Sequence, residues 1–215
     1  MKKIFTLILT CIMMFVLAAC QNAADSSEKT QTPETIAKEE ATMTNKSETM
    51  PNETTGDTKK ELIVYFSWSG NTESVAKEIE NQTGADVFRI VPTEAYTDDY
   101  DTLLDIAQKE QQSGARPAIS GSIKNFDSYE IVYLGYPNWW GDMPMILYSF
   151  LDDYDLSGKT IVPFVTSGGS GFSNTISTIE NMEPNALVLD GLSLLNSQTD
   201  APHDAVADWL SGLGL

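Results

Sequence analysis

The chain has 215 residues, 41% hydrophobic and 9% aromatic, and its 31 acidic against 13 basic side chains give a net charge of −18 at pH 7. That balance excludes a nucleic-acid binder, which needs a basic face, and opposes adsorption to an anionic membrane surface. A basic protein partner or a cationic substrate fits better, although most of these carboxylates serve only to keep an exported chain soluble.

The first nineteen residues read as a targeting segment. Lys2 and Lys3 precede an apolar stretch from Ile4 to Val16, and Leu17-Ala18-Ala19 then places small residues before Cys20. This is a secretory signal layout, and the run is short for a helix that must cross a bilayer core of about 30 Å. Its end resembles a bacterial lipobox. The resemblance implies cleavage before Cys20, diacylation of that thiol and an extracytoplasmic, lipid-anchored place on the cell membrane. The only other cysteine, Cys11, lies in the part that would be removed. The mature chain would then have no thiol for a disulfide, a redox pair or a nucleophile. Residues 21 to 59 are rich in Thr, Glu, Ser, Asn and Lys and contain no aromatic side chain. Such a stretch buries too little apolar surface to offset chain entropy and reads as a disordered tether behind the lipidated cysteine.

Residues 60 to 215 read as one domain. In its part from residue 61 onward, 23 acidic side chains stand against 6 basic ones, a balance of −17. Strand-like and helix-like segments alternate, which predicts βαβ units around a parallel sheet. The pattern gives a strand over Leu62–Phe66, a helix over Thr72–Gln82 with Val75, Ala76 and Ile79 inward, and a strand over Ala85–Val91. A helix over Asp98–Gln112 follows, then the continuous apolar run Ile131–Leu134, as in a central strand covered on both faces. Asp142 is expected to cap a helix with Pro144 in its first turn and Ile146, Leu147, Phe150 and Leu151 inward. A strand over Thr160–Val165 is expected to be irregular at Pro163. A helix begins at Ser173 with Ile176, Ile179 and Met182 inward. The last strand runs over Ala186–Leu189, with an edge segment to Leu194, and Asp200 is expected to cap a final helix carrying Val206, Trp209 and Leu210. The result is an α/β three-layer open sandwich: a five-stranded parallel sheet with about five helices on its two faces.

Ligands of open parallel sheets bind beyond the carboxyl ends of the strands, where strand order reverses. Three loops follow strand ends here. Ser67-Trp68-Ser69-Gly70-Asn71-Thr72 runs from a buried strand into a helix, so hydroxyls and backbone N–H groups gather at a helix N-terminus, which favours an anion. It lacks the Lys that nucleotide triphosphatases place in such a loop. It therefore suits one monoester phosphate, while the same residues also serve as helix caps. The second loop is Tyr136-Pro137-Asn138-Trp139-Trp140-Gly141. Two adjacent tryptophans cannot both point inward from one strand, so they are expected to face a ligand. The third is Thr166-Ser167-Gly168-Gly169-Ser170-Gly171-Phe172, whose glycines allow backbone to approach a ligand closely.

Together the three loops resemble those of flavodoxins. The first looks like the flavodoxin phosphate loop, continued by Ala76 and Ile79. The second and third look like the loops on either side of the flavin ring. The resemblance covers residues 60 to 215 and implies a flavodoxin-like fold that binds FMN. The implied contacts are Ser67, Trp68, Ser69, Gly70, Asn71 and Thr72 at the phosphate, and Pro137, Asn138, Trp139, Trp140, Gly141, Ser167, Gly168, Gly169 and Phe172 around the ring. A flat aromatic ring wants aromatic walls, each contact contributing about 0.5–1.5 kcal/mol beyond area burial, and Trp139, Trp140 and Phe172 are the candidates.

The expected function is a lipid-tethered electron carrier that docks with a redox protein, its acidic surroundings lowering the flavin's potential. An NAD(P)H- or quinone-dependent oxidoreductase, and a module that has kept the fold without the flavin, stay open. The absence of a second dinucleotide fingerprint favours the carrier. Ser167 and Ser170 lack the setting of a serine nucleophile, because no GxSxG elbow follows a strand. His203, the only histidine, is expected at the surface with no role.

Overall fold

The computed structural model describes residues 59–215. The targeting segment, Cys20 and the tether lie outside the described residues. Among those described, no helix is long and apolar enough to cross a membrane.

The chain alternates β1 (Glu61–Tyr65), α1 (Asn71–Thr83), β2 (Asp86–Arg89), β3 (Val91–Pro92), α2 (Tyr100–Ser113) and β4 (Ile119–Ser120). It continues through β5 (Ile131–Pro137), α3 (Met145–Asp153), β6 (Thr160–Ser167), α4 (Thr175–Met182), β7 (Leu187–Val188), β8 (Leu192–Leu195) and α5 (His203–Leu213). The main sheet is parallel in the order β2-β1-β5-β6-β7, with β8 also paired to β6. The five expected positions are therefore filled, the fifth by two short strands.

Pro163 explains that split. Leu189 N–H donates to Ile161 O at 2.9 Å, so odd-numbered residues of β6 turn their polar groups toward β7 and β8. Pro163 falls on that side without an N–H to give. The outer partner breaks at Asp190–Gly191, where a Cβ on Gly191 would stand 2.6 Å from Pro163 O. The expected irregularity thus appears in the neighbour, while β6 runs unbroken.

Two cores cover the sheet. On one face Ile63, Tyr65, Tyr133 and Phe164 meet Val75, Ala76 and Ile79 of α1 and Val206 of α5. On the other, Val64, Val132, Leu134 and Val165 meet Ile146, Leu147 and Phe150 of α3 and Ile179 of α4. β5 passes between them buried from Ile131 to Tyr136, which is why its sequence shows no polar alternation.

Two expected caps are corrected. Asp142 does not cap α3, whose N-cap is Pro144; its carboxylate instead accepts from Met143 N–H (2.8 Å) and the Tyr148 hydroxyl (2.7 Å). Asp200 does not cap α5, which starts after Pro202. The antiparallel β3–β4 pair that brackets α2 was not legible from the sequence; two-residue strands are too short to show a period.

Candidate functional site

Strand order reverses between β1 and β5, because β1 leads outward to β2 while β5 leads to β6 on the other side. A crevice must open above their carboxyl ends. A cavity of about 490 Å³ lies there, bounded by the loops after β1, β5 and β6 and by one face of α2.

The first loop forms one end. Gly70 is the N-cap of α1 in the left-handed region (φ 92°), a conformation a side chain would resist, and no side chain caps the helix. The first intrahelical bond is Ser74 N–H to Gly70 O at 2.9 Å, so the N–H groups of Asn71, Thr72 and Glu73 precede the ladder. Trp68, Ser69 and Asn71 line the cavity. Ser67 is buried and its Oγ accepts from Gly70 N–H at 3.2 Å, which folds the loop back on itself. Thr72 is also buried, and its hydroxyl is paired with that of Thr166 at 2.9 Å.

The acid in the first turn of α1 is neutralised. Glu73 meets Lys77 at 2.6 Å and Arg89 at 2.9 Å, and Lys77 foremost, with Arg89, holds the Glu73 carboxyl below its ordinary range against the opposing effect of burial. Arg89 also reaches Ser67 O at 3.5 Å, the outer limit of a hydrogen bond. The loop itself has no cation, but the end of β2 sets one beside it. The sequence could not show this, since Arg89 is 22 residues from Ser67.

The second loop explains how adjacent tryptophans part company. Trp139 and Asp142 exchange backbone hydrogen bonds (2.9 and 3.1 Å) around Trp140 at φ 55° and Gly141 at φ 78°. This is a type I′ turn. Trp139 enters the core edge-on to Phe66 (5.5 Å) and Tyr96 (5.4 Å) while also lining the cavity. Trp140 stays half exposed at the rim, its Nε1 donating to Leu104 O of α2 at 3.1 Å. Asn138 staples the second loop to the third: its Nδ2 donates to Gly171 O (2.8 Å) and its Oδ1 accepts from Gly141 N–H (3.0 Å).

In the third loop Ser167 Oγ accepts from Gly169 N–H (3.2 Å) and Gly171 N–H (3.0 Å), a bracket that needs the positive φ of Gly169 (139°) and Gly171 (58°). Ser167 and Gly168 line the cavity; Gly169 does not. Phe172 is a correction. It packs on the core beneath α4, its ring tip 2.4 Å from where a Cβ on Gly191 would sit, and it forms no cavity wall.

The structure thus brings together Trp68, Ser69, Asn71, Pro137, Asn138, Trp139, Trp140, Gly141, Ser167 and Gly168. It sets Ser67, Gly70, Thr72, Gly169 and Phe172 behind the wall. Sequence reading missed Tyr100, Leu103, Leu104 and Ala107, which give the cavity its α2 side, and Thr166, Ser170 and Asn196. In the sequence the α2 face has only the helical spacing of an ordinary core face. Tyr100 is exposed and tilted against Trp68 at 6.1 Å, so two rings stand at that wall. Asn196 comes from the turn after β8, where Thr199 Oγ1 donates to Asn71 Oδ1 (3.1 Å) and Thr199 O accepts from Ser74 Oγ (2.6 Å). A segment more than a hundred residues downstream therefore buttresses the start of α1.

A family model described as flavodoxin matches residues 60–213. Among solved structures, a flavoprotein from Bacteroides eggerthii is 31% identical, with a TM-score of 0.65 over 73% of this chain and 98% of that one. A flavoprotein from Lactobacillus acidophilus, solved in complex with FMN, is 25% identical, with a TM-score of 0.57 over 66% of this chain and 97% of that one. Among curated proteins, a flavodoxin from Nostoc sp. is 29% identical over 120 residues, 54% of this chain and 56% of that protein. The chain thus spans about half the length of the curated relatives it matches.

Proposed function

The chain belongs to the flavodoxin family, and from that membership we propose that it binds FMN in the cavity above β1 and β5 and carries electrons at the outer face of a bacterial membrane, tethered through lipid on Cys20. One observation carries the FMN reading. A single cavity has a helix start with N–H groups ahead of the ladder and a set of aromatic side chains in its walls. The first suits a phosphate dianion and the second a flat conjugated ring. The L. acidophilus flavoprotein, solved in complex with FMN, supports the same reading.

When bound, the flavin supplies the redox chemistry, exchanging one or two electrons with a donor and an acceptor. The chain's residues bind, orient and shield. The N–H groups of Asn71, Thr72 and Glu73, with the Ser69 hydroxyl, would hold the phosphate, while Arg89 and Lys77 offset Glu73. Trp68, Tyr100, Trp139 and Trp140 would enclose the ring. The bracket at Ser167 and the staple at Asn138 keep two backbone loops rigid beside it, so little reorganisation accompanies a change of charge. A redox protein, or a small quinone-like acceptor, is the partner.

Calorimetry with FMN, riboflavin and FAD, then an anaerobic reductive titration followed by absorbance, tests this. FMN should bind more tightly than riboflavin, and the yellow complex should bleach on reduction. A chain that binds none of the three is a flavodoxin fold without its flavin. Rapid oxidation of NAD(P)H by the complex would replace the carrier with an oxidoreductase.

The division into a signal over residues 1–19, a tether over 20–59 and a domain over 60–215 rests on the sequence, as does lipid on Cys20. Cys20→Ala should release the protein from membranes or leave its precursor unprocessed. A mature chain that begins at another, unmodified residue would end the tethering proposal.

A further inference from the structure

A second cavity, of about 480 Å³, lies between α2 and the β3–β4 pair. That is within the size range of small-molecule sites. About half of its wall is apolar, from Pro92, Ala95, Ile106, Pro117 and Ala118. Two charged groups matter within it. Glu110 is half-buried, and Tyr96 donates its hydroxyl to Glu110 Oε2 at 2.8 Å. Glu110 takes part in none of the ion pairs among the described residues. Burial pushes its carboxyl up despite the Tyr96 hydrogen bond. A partly desolvated carboxylate with one neutral donor and no cation is an unmatched group.

Arg116, the cation that also lines the cavity, is already committed. Its Nε pairs with Asp152, its Nη1 donates to Gly114 O (3.0 Å) and Ala115 O (3.2 Å), and its guanidinium lies 5.1 Å from the centre of the Tyr148 ring. Glu94 adds a further negative charge at the rim. The cavity therefore offers an unpaired carboxylate beside apolar surface, with its one cation already paired to Asp152, which suits one ligand class.

We propose that this cavity binds a small organic cation, a protonated primary amine on a short apolar body, with the ammonium on Glu110 and the alkyl portion against Ile106 and Pro117. The site is separate from the flavin cavity and does not rest on the FMN reading. The two adjoin through one aromatic contact: Tyr96 of this cavity stands edge-on to Trp139 of the other, with centroids 5.4 Å apart. Occupancy should therefore register in tryptophan fluorescence.

The test titrates the full chain, in nonionic detergent at ~0.15 M salt to screen general attraction, with n-butylammonium, n-butanol and butyrate. Calorimetry and tryptophan fluorescence are the readouts, with and without FMN. The expected result is saturable binding of butylammonium, at least tenfold tighter than butanol, and no binding of butyrate. Glu110→Gln keeps an acceptor for Tyr96 but removes the charge, and should weaken butylammonium about 10- to 150-fold, as loss of one charge-assisted hydrogen bond predicts. Asp208→Asn on α5 removes the same charge from the other face of the sheet and should change nothing. Should Glu110→Gln fail to fold, Ala95→Phe, which fills the cavity from an exposed loop, should abolish binding instead. The proposal is overturned if the amine and the alcohol bind alike, if the cavity variant binds as wild type does, or if Asp208→Asn costs as much as Glu110→Gln.

Discussion

The hydroxyls of Thr72 and Thr166 lie 2.9 Å apart and buried, tying the start of α1 to the end of β6. The sequence suggested that the Thr72 hydroxyl serves the phosphate. In the fold it serves Thr166, and it is Thr166 that lines the cavity. The pair has two protons and uses one in its own bond. Either oxygen can be the donor of that bond.

Thr72→Val should accordingly act on stability, because it leaves a buried hydroxyl unpaired at a cost of about 1–3 kcal/mol. The ratio of FMN to riboflavin affinity should change less than tenfold. Chemical denaturation and calorimetry with both ligands check this. A 10- to 150-fold loss confined to FMN, with stability intact, would return the Thr72 hydroxyl to the phosphate.

Trp140 sits at φ 55° in a turn that prefers Asn or Gly. Trp140→Asn removes about 1–2 kcal/mol of backbone strain and gives up an exposed indole hydrogen bond of about 0.5–1.5 kcal/mol. Stability should stay within about 1 kcal/mol of wild type. FMN affinity should fall about 2- to 10-fold, the worth of one aromatic wall. Equal losses in both would mean that Trp140 is packing and no more.

Ser149 is a buried residue of α3 whose Oγ has no partner. Ser149→Ala removes an unsatisfied hydroxyl and adds helix propensity, so it should stabilise by about 1 kcal/mol. Loss of stability in urea would show that a partner exists.

Glu183 follows α4, and burial together with the nearby Asp155 and Asp152 pushes its carboxyl up to about 7. Raised above its unfolded value of 4.5, it takes up a proton on folding between those limits, so stability falls as pH rises from about 4.5 to about 7. Glu110, raised by burial, acts in the same sense. Glu73, Glu78 and Asp86 are lowered and act oppositely, losing stability only as pH falls through their depressed values, below this window. Wild type should therefore melt higher at pH 5.5 than at pH 8, and Glu183→Gln should narrow the gap. An unchanged gap in the variant would remove Glu183 from the account.

Much of the fold was legible because its signals are local. Leu62–Phe66 and Ile131–Leu134 read as strands from unbroken apolar runs, and the helix faces at Val75, Ile79, Phe150 and Val206 read from their spacing. The order of the three loops carried the family resemblance for the same reason: each loop is continuous in sequence. The two failed caps show the limit of local reading. Asp142 and Asp200 have capping chemistry, but the Tyr148 hydroxyl claimed the first, and the chain passes the second before α5 begins.

By itself the sequence determined which segments become strands, which loops end at the carboxyl edge, and that the one nearest the N-terminus suits a phosphate without a lysine of its own. Those properties follow from periodicity and from side chains adjacent in the chain. Tertiary structure alone decided which side chains reach the cavity. Adjacent tryptophans diverge because Trp140 stands in the left-handed centre of a I′ turn that Trp139 only opens, and Phe172 leaves the site for the gap opened by Pro163 and Gly191. Arg89, Thr199 and the α2 face arrive from remote positions. Direction and distance between residues far apart in the chain are set by packing, and packing has no period for a sequence to display.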